Sequence, residues 1–243
     1  MTPNEIPAPM TPEDPPSQLT PKQLRNTILL AHVYLRIGIG MIALLFPLLL
    51  WLGGSIRSHT ALQNSMSACY HKSIRDLFVG ILFALGSFLY LYKGFSRKEN
   101  YALNCAGVLA VGIAVFPMDK PGGNDDTTFT APYMHTVCAI VFFLVISYVY
   151  IFRTADTLYL IQYRNHAVLF SLLYKIIGVC MIVFPCVAAL LTYTQRHHFT
   201  SDNRPTIFAV ELAATWIFSV YWLLKSVEIH ITQADRSIPI HTK

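Results

Sequence analysis

Six stretches of this chain, roughly 28–53, 75–92, 102–117, 134–152, 167–193 and 206–224, are apolar almost throughout. Crossing the hydrocarbon of a bilayer takes about 20 such residues as a helix, and no water is present there to satisfy unpaired backbone groups. Hydrophobic residues make up 54% of the chain and charged ones only 13%, more apolar surface than one water-soluble core of this size can hide. The expected fold class is all-α: a polytopic membrane protein built as a bundle of six transmembrane helices.

Residues 1–26 precede the first span with seven of the fourteen prolines, three acids and almost no large apolar side chain. That composition predicts a disordered, proline-rich cytoplasmic tail. The transmembrane domain is expected over 27–226, with a cytoplasmic C-terminal tail over 227–243. The first apolar run is too long for a signal-peptide core and follows an acidic start, so it reads as a retained span.

Cytoplasmic loops carry the excess of Lys and Arg. An inside N-terminus places eleven basic residues on the cytoplasmic side (Lys22, Arg25, Arg36, Lys93, Arg97, Lys98, Arg153, Arg164, Lys225, Arg236, Lys243) and six outside (Arg57, Lys72, Arg75, Lys120, Arg196, Arg204). Both termini are therefore expected in the cytoplasm, and a bacterial inner membrane is the expected location. The net charge of +5 reflects this bias and attraction to anionic lipid, so no nucleic-acid partner is expected. Arg36 and Lys175 lie near the inner ends of their spans, where long cationic side chains snorkel to the surface; they read as lipid anchors.

The odd-numbered spans each carry a Phe-Pro pair: Phe46-Pro47, Phe116-Pro117 and Phe184-Pro185. Aligned on their closing cations, Lys93, Arg153 and Lys225, the even-numbered spans share a serine six residues earlier (Ser87, Ser147, Ser219) and an aromatic three residues earlier (Tyr90, Tyr150, Trp222). This register suggests three repeated helix hairpins. General interfacial enrichment of aromatics and cations gives the same pattern without a repeat. Proline removes a backbone hydrogen bond and bends or ends a helix, so three at similar depth would splay the bundle open toward the outside.

The stretch "SMSACYHKSIRDLFVG", residues 65–80, has two readings. Ser73-x-x-Asp76 before an apolar run matches a capping box, with Asp76 at the positive end of the helix dipole. Alternatively the helix extends backward, and Ser67, His71 and Arg75 recur every fourth residue as one polar stripe. Glu211 is a carboxylate several residues inside the sixth span with no cation within a turn. It requires a partner from another element (Arg75, His135, Arg196 or His71), a bound ion or a retained proton. His135 begins the fourth span near the same surface. His71, Asp76, His135 and Glu211 are a conceivable divalent-metal set if they converge. The five cysteines show no CxxC or Cys/His zinc spacing, and the chain has no Walker pattern, nucleophile elbow or His-Glu-x-x-His. No structural zinc and no cofactor are expected.

Ser67-x-x-x-His71 at the start of the second span resembles the serine and histidine of the alkaline ceramidase superfamily of membrane zinc hydrolases. That family completes its site with an aspartate and a late His-x-x-x-His. Here His197 and His198 are adjacent, while His230 and His241 lie in the C-terminal segment, so the zinc site is not carried over. The six-span layout, with "NSMSA" in the first outer loop and an arginine soon after, resembles the DRAM-type family and its bacterial relatives. That resemblance implies a lipid-linked or trafficking role and supplies no catalytic residues.

The leading expectation is a lipid-binding or accessory membrane protein, its partners being membrane lipids and other integral membrane proteins, with an outward polar pocket formed by Ser67, His71, Arg75, Asp76, His135 and Glu211. One rival is a hydrolase or transferase acting on lipids, metal-dependent or not, using His71, Asp76 and Glu211. Another is a small-solute or proton-coupled transporter working through Glu211.

Overall fold

A computed structural model describes residues 20–58, 63–116, 118, 133–153, 158, 164–197 and 206–232. The described chain is helical and has no strand. Its elements are α1 (Pro21–Ser58), α2 (Arg75–Leu91), α3 (Arg97–Val115), α4 (Tyr133–Tyr148, continued by a π turn over Val149–Arg153), α5 (Arg164–His197) and α6 (Thr206–Thr232). A short 3-10 turn, Ser67–His71, lies between α1 and α2. Most of the proline-rich tail, Pro117, His198 and residues 233–243 lie outside the described residues.

Local chemistry sets several boundaries. α1 starts at Pro21, so the expected limit at residue 26 falls inside the helix. Thr20 Oγ1 accepts the Gln23 amide (3.3 Å), and Gln23 Oε1 accepts the Thr20 amide (2.9 Å), a reciprocal cap with proline at the first helical position. α3 starts in a related way: Ser96 Oγ accepts the Glu99 amide (3.3 Å), and Glu99 Oε2 reaches one residue past the cap to accept the Phe95 amide (2.8 Å). The box expected at Ser73 and Asp76 is not formed. α2 begins at Arg75 with Ile74 in the capping position and no side-chain cap, which leaves Asp76 one position short of the register that a box requires.

Four helices are long and apolar enough to cross a membrane, over Asn26–Ile56, Met134–Arg153, Ala167–Thr194 and Thr206–Glu228. α2 and α3 are shorter, at 17 and 19 residues. Each helix packs on its sequence neighbours and α1 packs on α6, which closes a ring. Backbones approach closely where side chains vanish. A Cβ on Gly86 would stand 2.7 Å from the carbonyl oxygen of Gly107, and one on Gly107 would stand 2.6 Å from that of Gly86. These glycines therefore form the α2–α3 contact, as small residues do between helices in lipid. α1 and α6 are joined by donors from α6 to α1 carbonyls: Ser219 Oγ to Gly40 O (2.7 Å) and Trp216 Nε1 to Leu44 O (3.2 Å).

Pro47 and Pro185 lie inside α1 and α5, both of which continue past them. Burial at the aligned serine and aromatic positions is common to α4 and α6 but not α2. Ser147, Tyr150, Ser219 and Trp222 are buried, whereas Ser87 is exposed and Tyr90 is 52% exposed.

Candidate functional site

The segment 63–71 folds across the end of the ring as a roof. Asn64 O accepts the Phe208 amide (2.8 Å) in the first turn of α6, where helix N–H groups lack internal partners. Three residues further along α6, Glu211 Oε2 accepts the backbone amide of Met66, and the Ser67 amide lies beside that carboxylate. Ser65 Oγ accepts the Ala68 amide (3.0 Å), which fixes the 3-10 turn. His71 Nε2 meets the carbonyl oxygen of Met118 (2.6 Å) and therefore donates. Glu211 thus finds its partner in backbone amides, not in the Arg75, His135 or His71 side chains.

His135 lies beneath this roof, 5% exposed. Its Nδ1 faces the carbonyl oxygens of Ile113 (3.0 Å) and Phe116 (2.9 Å). Both can only accept, so Nδ1 carries the proton. In the neutral ring that leaves Nε2 to accept from Ser67 Oγ at 3.3 Å. A serine hydroxyl is thereby tied to an imidazole whose tautomer is set by the end of α3.

Under the roof is a cavity of about 590 Å³ to which all six helices contribute. Its polar end is formed by Ser65, Ser67, His135 and Glu211, and its walls include Phe46, Phe78, Phe142, Phe143, Phe184 and Phe218. The volume lies within the range of about 300–1,000 Å³ common for small-molecule sites. Thr136 and Ile140 of α4 and Ala189 and Tyr193 of α5 line the cavity and are also exposed on the outside of the bundle. The cavity therefore opens sideways between α4 and α5. Toward the other end these helices are drawn together where Gly178 meets Ile151 of the π turn; Pro185 lies beyond that contact, on the cavity wall.

Of the six residues expected to form the pocket, Ser67, His135 and Glu211 line it and His71, Arg75 and Asp76 do not. The stripe through Ser67, His71 and Arg75 is broken because the 3-10 turn ends at Lys72 in extended backbone (φ −116°, ψ 173°). Arg75 instead donates to Tyr70 Oη (2.8 Å) and stacks over its ring, while Asp76 is exposed. Among the described residues no group of three His, Cys, Asp or Glu side chains is placed to hold a metal. Cys69, within the roof turn, is 1% exposed. Burial, and then the nearby Glu211 carboxylate, push its thiol up to about 12.

The opposite end of the ring is closed by charge and aromatics. Lys225 Nζ and Glu228 Oε2 are 2.8 Å apart and almost fully buried. Tyr174 Oη donates to the same carboxylate oxygen at 2.6 Å. Lys225 also lies over the Phe95 and Tyr174 rings, within electrostatic reach of Glu99 and Arg36. Tyr150 stacks on Tyr221 (centroids 3.4 Å), and Trp222 meets both Tyr92 and Tyr221 edge-on. Arg36, expected to snorkel, is 1% exposed; it shares the buried stripe of Ile39, Ala43, Phe46 and Leu50 on α1. Lys175 does face outward.

This buried cluster was readable only in fragments. Lys225 and Glu228 are spaced as a helical ion pair, Ser96 and Glu99 as a cap, and Arg36 continues a stripe with three- and four-residue steps. No protein-family model matches the chain, and no curated protein or solved structure matches it either.

Proposed function

We propose that this is a six-span integral membrane protein that binds one lipid-like amphiphile in the roofed cavity, alone or as an accessory subunit of a membrane assembly. α2 and α3 rise about 25 and 28 Å at 1.5 Å per residue, close to the roughly 30 Å of hydrocarbon, and both belong to a closed ring with the four longer helices. The roofed end faces away from the cytoplasm, and both termini lie inside.

The observation that carries this reading is the cavity's sideways opening between α4 and α5 combined with its single polar end. An acyl chain can enter from the bilayer along phenylalanine walls while a polar head rests beneath Ser67 and Glu211. Native mass spectrometry of protein released from mild detergent tests it. Wild type is expected to retain one lipid-sized adduct, and Ala188→Trp, which fills the cavity wall, is expected to lose it. A bare wild-type protein would overturn the proposal.

The hydrolase reading keeps one point in its favour, the Ser67–His135 contact. An acyl-transfer site also needs amide donors aimed at the developing oxyanion. Here the Met66 amide is already given to Glu211, whose acceptor oxygens would face that oxyanion. Stoichiometric labelling of Ser67 by a fluorophosphonate would favour catalysis instead. Transport through Glu211 is disfavoured by the buried aromatic and ionic layer between it and the cytoplasmic end.

A further inference from the structure

The charge inside the cavity restricts the head group of what it holds. Among the described residues lining it, Glu211 is the only Asp or Glu, and none is Lys or Arg. Its carboxylate accepts the Met66 amide and has the Ser67 amide beside it, which leaves about two of its roughly four acceptor positions. The other polar groups at this end are mostly engaged. Ser65 Oγ accepts the Ala68 amide and keeps its own O–H to donate, His135 Nδ1 is directed away to two backbone carbonyls, and Ser67 Oγ is tied to His135. Thr192 and Thr215, also in the lining, donate to carbonyls of their own helices, so this end offers the carboxylate and hydroxyl oxygens as acceptors beside the Ser65 O–H. The cavity walls include Phe46, Phe78, Phe142 and Phe218, and the faces of aromatic rings attract cations.

We infer, on the basis of the amphiphile-binding reading above, that the cavity selects an amphiphile with a positively charged amine head not shielded by a neighbouring anion. A phosphate or carboxylate head would be set against Glu211 in surroundings of low dielectric, where like charges repel far more than in water. A zwitterionic head would bring its own phosphate within a few bonds of its amine and meet the same repulsion. An ammonium supplies the counter-charge that a buried carboxylate needs, and its three N–H donors match a set of acceptors.

The test uses the full-length protein in lipid nanodiscs at pH 7.4, with a dansyl-labelled hexadecyl alcohol as reporter. Hexadecylamine, hexadecanol and hexadecyl sulfate compete for it, each measured as mole fraction in the bilayer. The amine is expected to displace the reporter at about tenfold lower mole fraction than the alcohol, a difference of about 1.4 kcal/mol, with the sulfate weakest. Glu211→Gln keeps an acceptor for the Met66 amide but removes the charge, and is expected to bring amine and alcohol to within about twofold. Equal competition by amine and alcohol in wild type, or an amine preference that survives Glu211→Gln, would overturn the head-group assignment while leaving the cavity's role intact. A reporter that does not bind at all would overturn the amphiphile reading and this inference with it.

Discussion

Glu211 organises its surroundings through three neighbours at once: it holds the Met66 amide, lies beside the Ser67 amide and acts electrostatically on Cys69. A thiol with a value near 12 is ionised to about one part in 10⁴ at pH 8, against roughly a quarter for an ordinary cysteine. On protein retaining only Cys69, maleimide labelling is therefore expected to keep accelerating about tenfold per pH unit beyond pH 9.5. A plateau near pH 9 would contradict the buried placement. Because this value lies above that of an unfolded thiol, the associated stability is intact below about pH 8.5 and is lost as pH rises toward 12. The sequence identified Glu211 correctly as a residue in need of a partner, and it put Ser67, His135 and Glu211 in one group. It could not show that backbone amides are the partner, since an amide is present at every position but proline and leaves no trace in composition.

The helices were legible because apolar runs of this length have few other solutions. Their ends were less so. Ser73 and Asp76 have the right spacing for a cap, yet the chain caps α1 and α3 with Thr20–Gln23 and Ser96–Glu99 instead, because a 3-10 turn and extended Lys72 delay the start of α2. Equally hidden was the contact of α2 with α3, which rests on two glycines far apart in the chain. Gly107→Leu is expected to force these helices apart and to lower the thermal unfolding midpoint in detergent by several degrees, whereas Val108→Leu, on the exposed side of the same helix, is expected to change it little. Equal effects from the two substitutions would contradict the close approach of Gly86 and Gly107.

The ring as a whole is asymmetric. One end is sealed by the Lys225–Glu228 pair, Tyr174 and the stacked Tyr150 and Tyr221, and the other holds a cavity under a roof bonded to α6, α4 and the Met118 carbonyl. Breaking a buried ion pair from one side leaves an unpaired charge and costs about 3–5 kcal/mol. Sealing that end leaves the sideways gap between α4 and α5 as the way into the cavity. The most direct measurement is photo-crosslinking in nanodiscs with a phospholipid-free bilayer additive, a hexadecyl chain carrying a mid-chain diazirine, followed by peptide mapping. Label is expected on the cavity walls, at Phe142, Phe143, Phe184 and Phe218, and Ala188→Trp is expected to abolish it there while leaving outer-surface labelling unchanged. Label spread evenly over the outward faces of all six helices, unaltered by Ala188→Trp, would contradict the account.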